Sequence, residues 1–546
     1  MRRATPGGIL TIDRFPRDLG HEVTSRSLAI RFGYNQRALQ DIHVHKKNNS
    51  SPKPVLLIVL DGIRPDVLRA AIRDGDAPAL GFLAESGEAI WDGTSVFPSI
   101  TPAATAAIAT GEPPSESGIL GHAWYDREEE RVVVYGAMRD TVISTGPVKV
   151  FHNNVWRMNR DDLSAPTLFE KLDERGIDGA CVNFPVRRGP HEHPVRVRSV
   201  ERYKRFTNRS ELLGASVGGP KEYYMGDLFY SRDTGLHGRT GVGGLRRSVG
   251  INDAYAAGVG AMLLAEKAAP FTLVYFFKGD SITHHKGLAA QRRHVTVLDQ
   301  YVEDMFDAAG GPEKALEDYA VLALSDHGHT PLLPNRRRFV RLGRILGEGA
   351  SAGSRVRFGP GLEIVVVPNG RSALLYFEEG VEREKVVTTV LACRGVDLAA
   401  WSKDGWGVVR RLGRELRFRP ADTVGDGPRD AAGRAWDLFG DPRALEIEVS
   451  DGGIGYGEYP DALERLWGCL RSPRCGDVVL SATPGYTFGE VSGNFHEQSD
   501  HGSLHASDSN IFVLASGVPA PHRLTDVVPT LLDHFGPGAE TAETGT

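Results

Sequence analysis

Cysteine is scarce in this chain. Only four of the 546 residues are cysteines, at positions 181, 393, 469 and 475. So few thiols in so long a chain cannot form a disulfide framework, and none belongs to the Cys-x-x-Cys pairs of a thiolate zinc site. Cys469 and Cys475 are near enough in sequence to pair, but we expect free or buried thiols, which reducing compartments favour.

The chain also lacks long apolar runs and an excess of positive charge. No stretch approaches the roughly twenty apolar residues that span a bilayer, and the N-terminal segment has no apolar signal region. We therefore expect no membrane span and a cytoplasmic location. The 64 basic and 70 acidic residues give a net charge of -6, whereas binders of nucleic-acid polymers concentrate positive charge. No such polymer is expected as a partner, and a small anionic substrate would need a local cation.

The sequence does contain a regular alternation of apolar runs and helical patterns. The run PVLLIVL at 54–60 is typical of a strand buried on both faces of a parallel sheet. Strands and helices then alternate along most of the chain, which predicts an α/β fold with a mostly parallel central sheet. The predicted elements include helices at about 253–267 and 289–306 and strands at Ala320–Leu324 and Asp477–Leu480. We expect an N-terminal extension over 1–52, one catalytic domain over 53–535 with insertions at about 186–250 and 331–475, and a disordered tail over 536–546.

Acidic and histidine side chains follow several of the predicted strands. They are Asp61, Asp280 with His284, Asp326 with His327, and His501. Ligands bind at the carboxyl ends of strands in open parallel sheets, so these segments are predicted to converge on one site. Without a cation, three carboxylates and three imidazoles at one site would repel one another or lose their hydration at a large cost in free energy. Oxygen and nitrogen donors of this kind hold divalent transition metals, so we expect two ions, zinc first and manganese as the alternative.

Each segment also has a plainer interpretation. An Asp after a strand is commonly a helix cap, and a single histidine among 18 is commonly a surface or core residue. Together the six residues favour a metal site over these plainer interpretations. The neighbouring His285, His329 and His505 are alternatives for part of the ligand set, but spacing favours His284 over His285 and His501 over His505. The arginine runs at 246–247 and 336–338 are expected to be solvated surface.

Five segments, in order, resemble the nucleotide pyrophosphatase/phosphodiesterase branch of the alkaline phosphatase superfamily. They are PVLLIVLDGIRPDVL, VFPSITPAATAAIATGEPPSESGILGHAWYD, YFFKGDSITHH, LALSDHG and DHGSL. The resemblance implies a three-layer α/β/α sandwich with cap insertions. It also implies one metal on Asp280, His284 and His501, and another on Asp61, Asp326 and His327. Thr101 would then be the nucleophile and a ligand of the second metal, ten residues before Gly111 as in the family.

Two departures from that pattern keep the substrate class open. Pro102, Ala103, Ala104 and Thr105 stand where nucleotide-cleaving members usually carry Phe-Pro-Asn-His, and His122 stands where they use an asparagine to bond a phosphoryl oxygen. His122 is therefore a candidate substrate-binding residue whose protonated form would favour a more anionic ligand.

The expected activity is hydrolysis of phosphodiester or pyrophosphate bonds of small phosphorylated, nucleotide-like substrates through a phospho-threonine. A phosphomonoester or phosphonate hydrolase and a catalytically silent metal-binding protein are the alternatives. A sulfatase is disfavoured, because the segment at Thr101 lacks the Cys or Ser followed by Pro and Arg that sulfatases modify.

Overall fold

The apolar run near residue 55 forms the middle strand of the central sheet in the computed structural model of the protein. All six residues of Val55–Leu60 are at most 1% exposed. The strand pairs in parallel with Phe271–Phe276 on one side and with Ala320–Leu324 on the other. The structure describes residues 52–136, 147–196, 215–236, 250–334, 336–347, 354–357, 363–421, 427–488 and 498–537.

The strands and helices alternate as the sequence pattern indicates. The strands are β1 Val55–Leu60, β2 Glu88–Thr94, β3 Ala123–Asp126, β4 Arg131–Val134, β5 Gly179–Val182, β6 His191–Pro194, β7 Ser216–Gly219, β8 Glu222–Met225, β9 Phe229–Tyr230, β10 Phe271–Phe276, β11 Ala320–Leu324, β12 Thr330–Pro331, β13 Phe339–Val340, β14 Ser354–Arg357, β15 Glu363–Asn369, β16 Ser372–Phe377, β17 Val396–Lys403, β18 Trp406–Arg411, β19 Arg414–Pro420, β20 Trp436–Gly440, β21 Ile447–Ser450, β22 Gly453–Tyr456, β23 Val478–Ala482, β24 Thr487–Phe488, β25 Ser499–Asp500 and β26 Asn510–Ser516.

The α-helices are α1 Pro65–Arg73, α2 Pro78–Glu85, α3 Thr101–Thr110, α4 Pro114–Ser117, α5 Pro147–His152, α6 Leu168–Asp173, α7 Asp253–Ala265, α8 Lys278–Lys286, α9 Leu288–Ala308, α10 Pro312–Asp318, α11 Leu342–Leu346, α12 Arg383–Leu391, α13 Ala462–Leu470, α14 Ala506–Ser509 and α15 Val527–Phe535. A π-helix covers Asn153–Asp162, and short 3-10 turns cover Arg336–Arg338, Pro442–Leu445 and Leu524–Asp526. No helix of the described ranges is long and apolar enough to cross a membrane.

The central sheet has eight strands in the order β2-β26-β11-β1-β10-β5-β8-β9. Its five middle strands β11, β1, β10, β5 and β8 are parallel, while β26, β2 and β9 pair antiparallel at the two edges. The predicted α/β class with a mostly parallel sheet is confirmed. Residues 186–250, which the sequence assigns to an insertion, contribute β8 and β9 to this sheet.

Both faces of the central sheet are covered, which explains the continuous apolar run of β1. Val55, Leu57 and Val59 point into one core, where α3 and α15 pack, and the alternate residues Leu56, Ile58 and Leu60 point into the other. The second core is closed by α1, α2, α7 and α9. Because successive side chains of a strand face opposite sides, a strand between two helical layers must be apolar at every position.

The long insertion forms a second eight-stranded sheet, in the order β14-β15-β16-β23-β17-β18-β19-β20. All its pairings are antiparallel. The strand predicted over Asp477 to Leu480 belongs here as β23 and not to the core sheet, because a buried apolar run is the same in both settings. The expected extension at 1–52, the tail at 536–546 and the pair Arg246-Arg247 lie wholly or almost wholly outside the described residues.

Candidate metal centre

The acidic and histidine segments meet at one edge of the central sheet. Asp61 follows β1, α8 with Asp280 and His284 follows β10, and Asp326 follows β11 by one residue. These three strands are parallel neighbours, so their carboxyl ends share that edge. His501 precedes β26, which runs antiparallel to β11, so the start of β26 lies at the same edge. The convergence therefore follows from the strand directions.

The carboxylate of Asp280 is the centre of the first group. Its Oδ1 lies 3.1 Å from Nε2 of His284, 3.1 Å from Nε2 of His329 and 3.3 Å from Nε2 of His501. Asp280 and His284 are one turn apart on α8, so both project from the same face of the helix. The donor atoms of the four residues all lie within 4.8 Å of one another, as the ligands of a single ion do.

Backbone and hydroxyl oxygens orient these histidines. His284 Nδ1 donates to the carbonyl of Ser499 at 2.9 Å, and His501 Nδ1 donates to the carbonyl of Ser99 at 2.9 Å. The hydroxyl of Ser499 donates to the carbonyl of Thr283, so its oxygen accepts from His329 Nδ1 at 3.3 Å. Each Nδ1 keeps its proton in this hydrogen bond, so Nε2 is the nitrogen of each imidazole that can bind a metal once any proton on it is lost.

A second group lies next to the first and shares Asp280 with it. Asp61, Asp280 and His327 each offer a donor atom within 4.8 Å of the others. Nε2 of His327 is 3.6 Å from Asp61 Oδ1 and 3.5 Å from Asp326 Oδ2. The resemblance assigns Asp326 to this group and Asp280 only to the first, whereas Asp280 lies between both groups in the structure.

Asp326 uses its two oxygens differently. Oδ1 accepts from the backbone amides of Gly62 at 2.9 Å and His327 at 3.0 Å, which ties the loop after β1 to the loop after β11. Oδ2 is buried and accepts no hydrogen bond from the described residues. A buried carboxylate oxygen without a donor is costly unless a cation binds it. The donor set therefore fits divalent metal ions.

The pKa values of the cluster also indicate that it fits a divalent cation. Burial disfavours ionisation of Asp280, but the charge of His284 and hydrogen bonds from the surrounding imidazoles hold its pKa well below the usual value. Burial acts against a charged His284, yet Asp280 raises the pKa of this histidine to about 9. Burial, with the charge of Asp280 adding to it, raises the pKa of Asp326 to about 7. A bound divalent cation would displace the imidazole proton and stabilise the carboxylates.

Close packing at Gly62 allows the two loops to meet. Gly62 has a φ of +67°, and a Cβ at this position would lie 2.7 Å from Nε2 of His329 and 3.0 Å from Cα of Asp280. No side chain fits there without displacing a candidate ligand. Glycine is therefore required both by the left-handed backbone and by the space.

Thr101 is the first residue of α3 and lies beside the second group. Ile100 precedes it in extended conformation, and Pro102 occupies the first helical turn, where its missing amide proton costs nothing. The Thr101 hydroxyl does not cap the helix. Its Oγ1 lies 3.1 Å from Nε2 of His327. An anion at this hydroxyl would also face the positive end of a ten-residue helix.

Of the three alternative histidine ligands, two lie outside the cluster and one lies inside it. His285 is exposed, with its Nδ1 2.6 Å from the Ser281 carbonyl, and His505 pairs with Glu458 at 3.4 Å, so neither belongs to the cluster. His329, by contrast, is fully buried within it. The sequence offered His329 only as a substitute ligand. The sequence pointed to His329 only through its position two residues after His327. That position does not reveal that the loop turns His329 toward Asp280.

His122 and Thr101 line one cavity. The segment after His122 is held by Asn369, the last residue of β15, whose side-chain amide accepts from Ala123 N at 2.9 Å and donates to Ala123 O at 2.8 Å. The next turn residues reach His501, since Arg371 N donates to its carbonyl at 2.8 Å. The inserted sheet thus supports the candidate centre directly.

Comparison with known proteins places this arrangement in context. The sequence profile described as Type I phosphodiesterase / nucleotide pyrophosphatase matches residues 55–508. Murine ectonucleotide pyrophosphatase/phosphodiesterase 5, as an inactive variant in complex with AMP, is similar in structure with a TM-score of 0.52 and 13% identity, over 88% of this chain and 95% of that one. Phosphonoacetate hydrolase from Sinorhizobium meliloti in complex with phosphonoacetate is similar with a TM-score of 0.53 and 18% identity, over 89% and 96%.

Proposed function

Because the chain belongs to the type I phosphodiesterase/nucleotide pyrophosphatase family, it is a hydrolase, and we propose that it cleaves phosphodiester bonds of small substrates through a covalent phospho-threonine at Thr101. The observation that carries this proposal is the position of the Thr101 hydroxyl, 3.1 Å from His327 Nε2 at the rim of the ligand cluster. A hydroxyl at this place can reach both a bound metal and an incoming phosphorus atom.

The proposed metal sites use the two groups at the sheet edge. Asp280, His284, His329 and His501 would hold one divalent ion, and Asp61, Asp326 and His327, with Asp280 beside them, would hold the other. Mixed carboxylate and imidazole donors suit Zn²⁺, with Mn²⁺ as the alternative. When bound, such ions lower the pKa of a hydroxyl and neutralise charge that develops on a phosphoryl group.

The chain's own residues then set the course of the reaction. The Thr101 hydroxyl releases its proton to solvent, and Oγ1 forms a bond to phosphorus while the bond to the leaving alcohol breaks on the opposite side. The leaving oxygen takes a proton from solvent, and water later cleaves the phospho-threonine and restores the hydroxyl. The amino end of α3 faces the phosphoryl oxygens and stabilises their negative charge. His122 would donate a hydrogen bond to one of these oxygens from the cavity side.

The test is hydrolysis of methyl p-nitrophenyl phosphate, a diester, against p-nitrophenyl phosphate, a monoester, with Zn²⁺ or Mn²⁺. Wild type, Thr101→Ala and the control Thr389→Ala, an exposed hydroxyl on α12, would be compared. Diester cleavage that is lost only in Thr101→Ala supports the proposal. A preference for the monoester would move the protein to the phosphomonoesterase alternative, and metal binding without cleavage of either would identify a binding protein.

A further inference from the structure

A cavity of about 140 Å³ opens beside Thr101, and none of the carboxylates and imidazoles of the metal centre lines it. Its walls come from the start of α3, the π-helix, the ends of β5 and β10, and the loop between β8 and β9. Thr101 and His122 stand on its polar side. Tyr275 connects the cavity to the metal centre, because its hydroxyl donates to Oδ2 of Asp61.

Apolar side chains make up most of the wall. Phe151, Val155, Met158 and Leu228 are each at most 7% exposed and lie around the cavity. Among the described residues that line it there is no Lys, Arg, Asp or Glu. A carboxylate or a second phosphate placed here would lose its hydration without gaining a counter-charge.

The few amides in the wall offer little to a polar ligand. Asn154 is occupied, since its side chain bonds the amide and carbonyl of Gly136 and the carbonyl of Val150. Asn183 donates to the carbonyl of Asn252, while its buried Oδ1 accepts no hydrogen bond from the described residues. Among the described residues of the wall, the polar side chains other than Thr101 are His122, Asn154, Asn183 and Tyr275. A nucleobase and its ribose carry more donors and acceptors than these side chains can pair.

The size of the cavity narrows the ligand further. An apolar cavity of about 150 Å³ is large enough for benzene. A space of similar volume therefore encloses a single aryl ring or a short alkyl chain, whereas a whole nucleoside would extend out of the opening.

The position of the cavity relative to Thr101 determines which part of the substrate enters it. The leaving oxygen departs in line with the attacking hydroxyl, on the far side of phosphorus. The cavity, in contrast, includes Thr101 and Pro102 in its own wall. A substituent that stays on phosphorus lies beside the attacking oxygen throughout the reaction, so a cavity with Thr101 and Pro102 in its wall is placed to receive it.

We propose that this cavity binds an uncharged aryl or short alkyl group retained on phosphorus, so that the substrates are aryl or alkyl phosphodiesters and phosphonate monoesters and not nucleotides or carboxylated phosphonates. The inference rests on the proposed function for the reaction, but the binding it describes is measurable without turnover.

Kinetics provides the first test. p-Nitrophenyl esters of phenylphosphonate, methylphosphonate and thymidine 5′-phosphate share a leaving group and differ in the retained group. The phenyl compound should exceed the methyl compound in kcat/KM by about tenfold or more, as expected for burial of a ring. Equal rates, or preference for the thymidine ester, would overturn the cavity assignment while leaving phosphodiesterase activity established.

Binding provides the second test and does not need activity. Calorimetry on the metal-loaded protein would compare phenylphosphonate, methylphosphonate and phosphonoacetate. Phenylphosphonate should bind about tenfold or more tightly than either of the others. In Val155→Phe, which fills the cavity, that ratio should fall to about one, whereas the exposed Val297→Phe on α9 should keep it. Tightest binding of phosphonoacetate, or an unchanged ratio in a folded Val155→Phe, would refute the proposal even if no ester is hydrolysed.

Discussion

Thr101 Oγ1 lies 3.1 Å from Nε2 of His327, although 226 residues separate them in the chain. His327 Nδ1 is 3.0 Å from the carbonyl of Gly328 and donates to it, so Nε2 faces the threonine with its lone pair. The hydroxyl and the candidate ligand are therefore held by two rigid features, the first turn of α3 and the loop after β11. A reaction at Thr101 would be sensitive to small changes on either side.

Replacement of Thr101 tests its role as the nucleophile separately from any role in the fold. Thr101→Ala should lose at least about a thousandfold of kcat/KM on a diester, because no oxygen remains to attack, while Thr101→Ser should retain measurable activity. Metal content by elemental analysis should stay unchanged in both. Equal activity of the alanine and serine variants would contradict a nucleophilic role.

His329→Ala should weaken binding of the first metal ion by at least about tenfold, because it removes one of four donors. Zinc affinity by chelator competition, and the visible absorption of a Co²⁺-substituted sample, would measure this without reference to activity. His285→Ala on α8 is the matched control, since His285 is exposed. If both variants bind zinc as the wild type does, His329 is only a packing residue.

Gly62→Ala should lose metal affinity through steric displacement of His329 and Asp280. Gly75→Ala is the control, because Gly75 also has a positive φ, +80°, but a Cβ there meets nothing within 4 Å. Both variants carry the backbone strain of alanine at positive φ. The difference in zinc affinity between them therefore measures the contact at the site, and no difference would mean that the loop moves aside.

Removal of metal should lower the thermal stability of the whole domain. A ligand at a hundred times its Kd stabilises the folded state by about 2.7 kcal/mol, so chelation should reduce Tm by a few degrees and added Zn²⁺ should restore it. Thr101→Ala should show the same response, since it keeps the carboxylate and imidazole ligands. An unchanged Tm after verified removal of metal would show that the buried carboxylates and imidazoles satisfy one another.

The turn after β15, which contacts His501, contains one partner of a buried ion pair. Arg371 and Asp508 are both fully buried, with Nη1 and Oδ2 2.6 Å apart. Arg371→Ala should lower the free energy of unfolding by about 3–5 kcal/mol, because it leaves a buried carboxylate without its partner. Arg73→Ala, which breaks the exposed pair with Asp74, should cost at most about 1 kcal/mol. Urea denaturation measures both, and partial recovery in Arg371→Ala/Asp508→Ala would identify the pair as the cause.

Sequence patterns predicted the core elements closely where local burial dictates them. Helices expected at 253–267 and 289–306 are observed at Asp253–Ala265 and Leu288–Ala308, and the strand at Ala320–Leu324 has the predicted bounds. The same patterns misplaced Val478–Ala482, because an apolar strand reads alike in a parallel core and in an antiparallel sheet. They also missed that Glu222–Met225 extends the central sheet, since strand pairing is a long-range choice.

The sequence by itself determined the fold class and the residue types at the carboxyl edge of the sheet, because alternation and strand-end chemistry are local properties of the chain. The tertiary structure alone decided that Asp280 lies between two groups, that His329 faces it, and that the wall of the cavity beside Thr101 is apolar. Those features join segments hundreds of residues apart, and their distances depend on strand order, strand direction and loop packing, which no local pattern encodes.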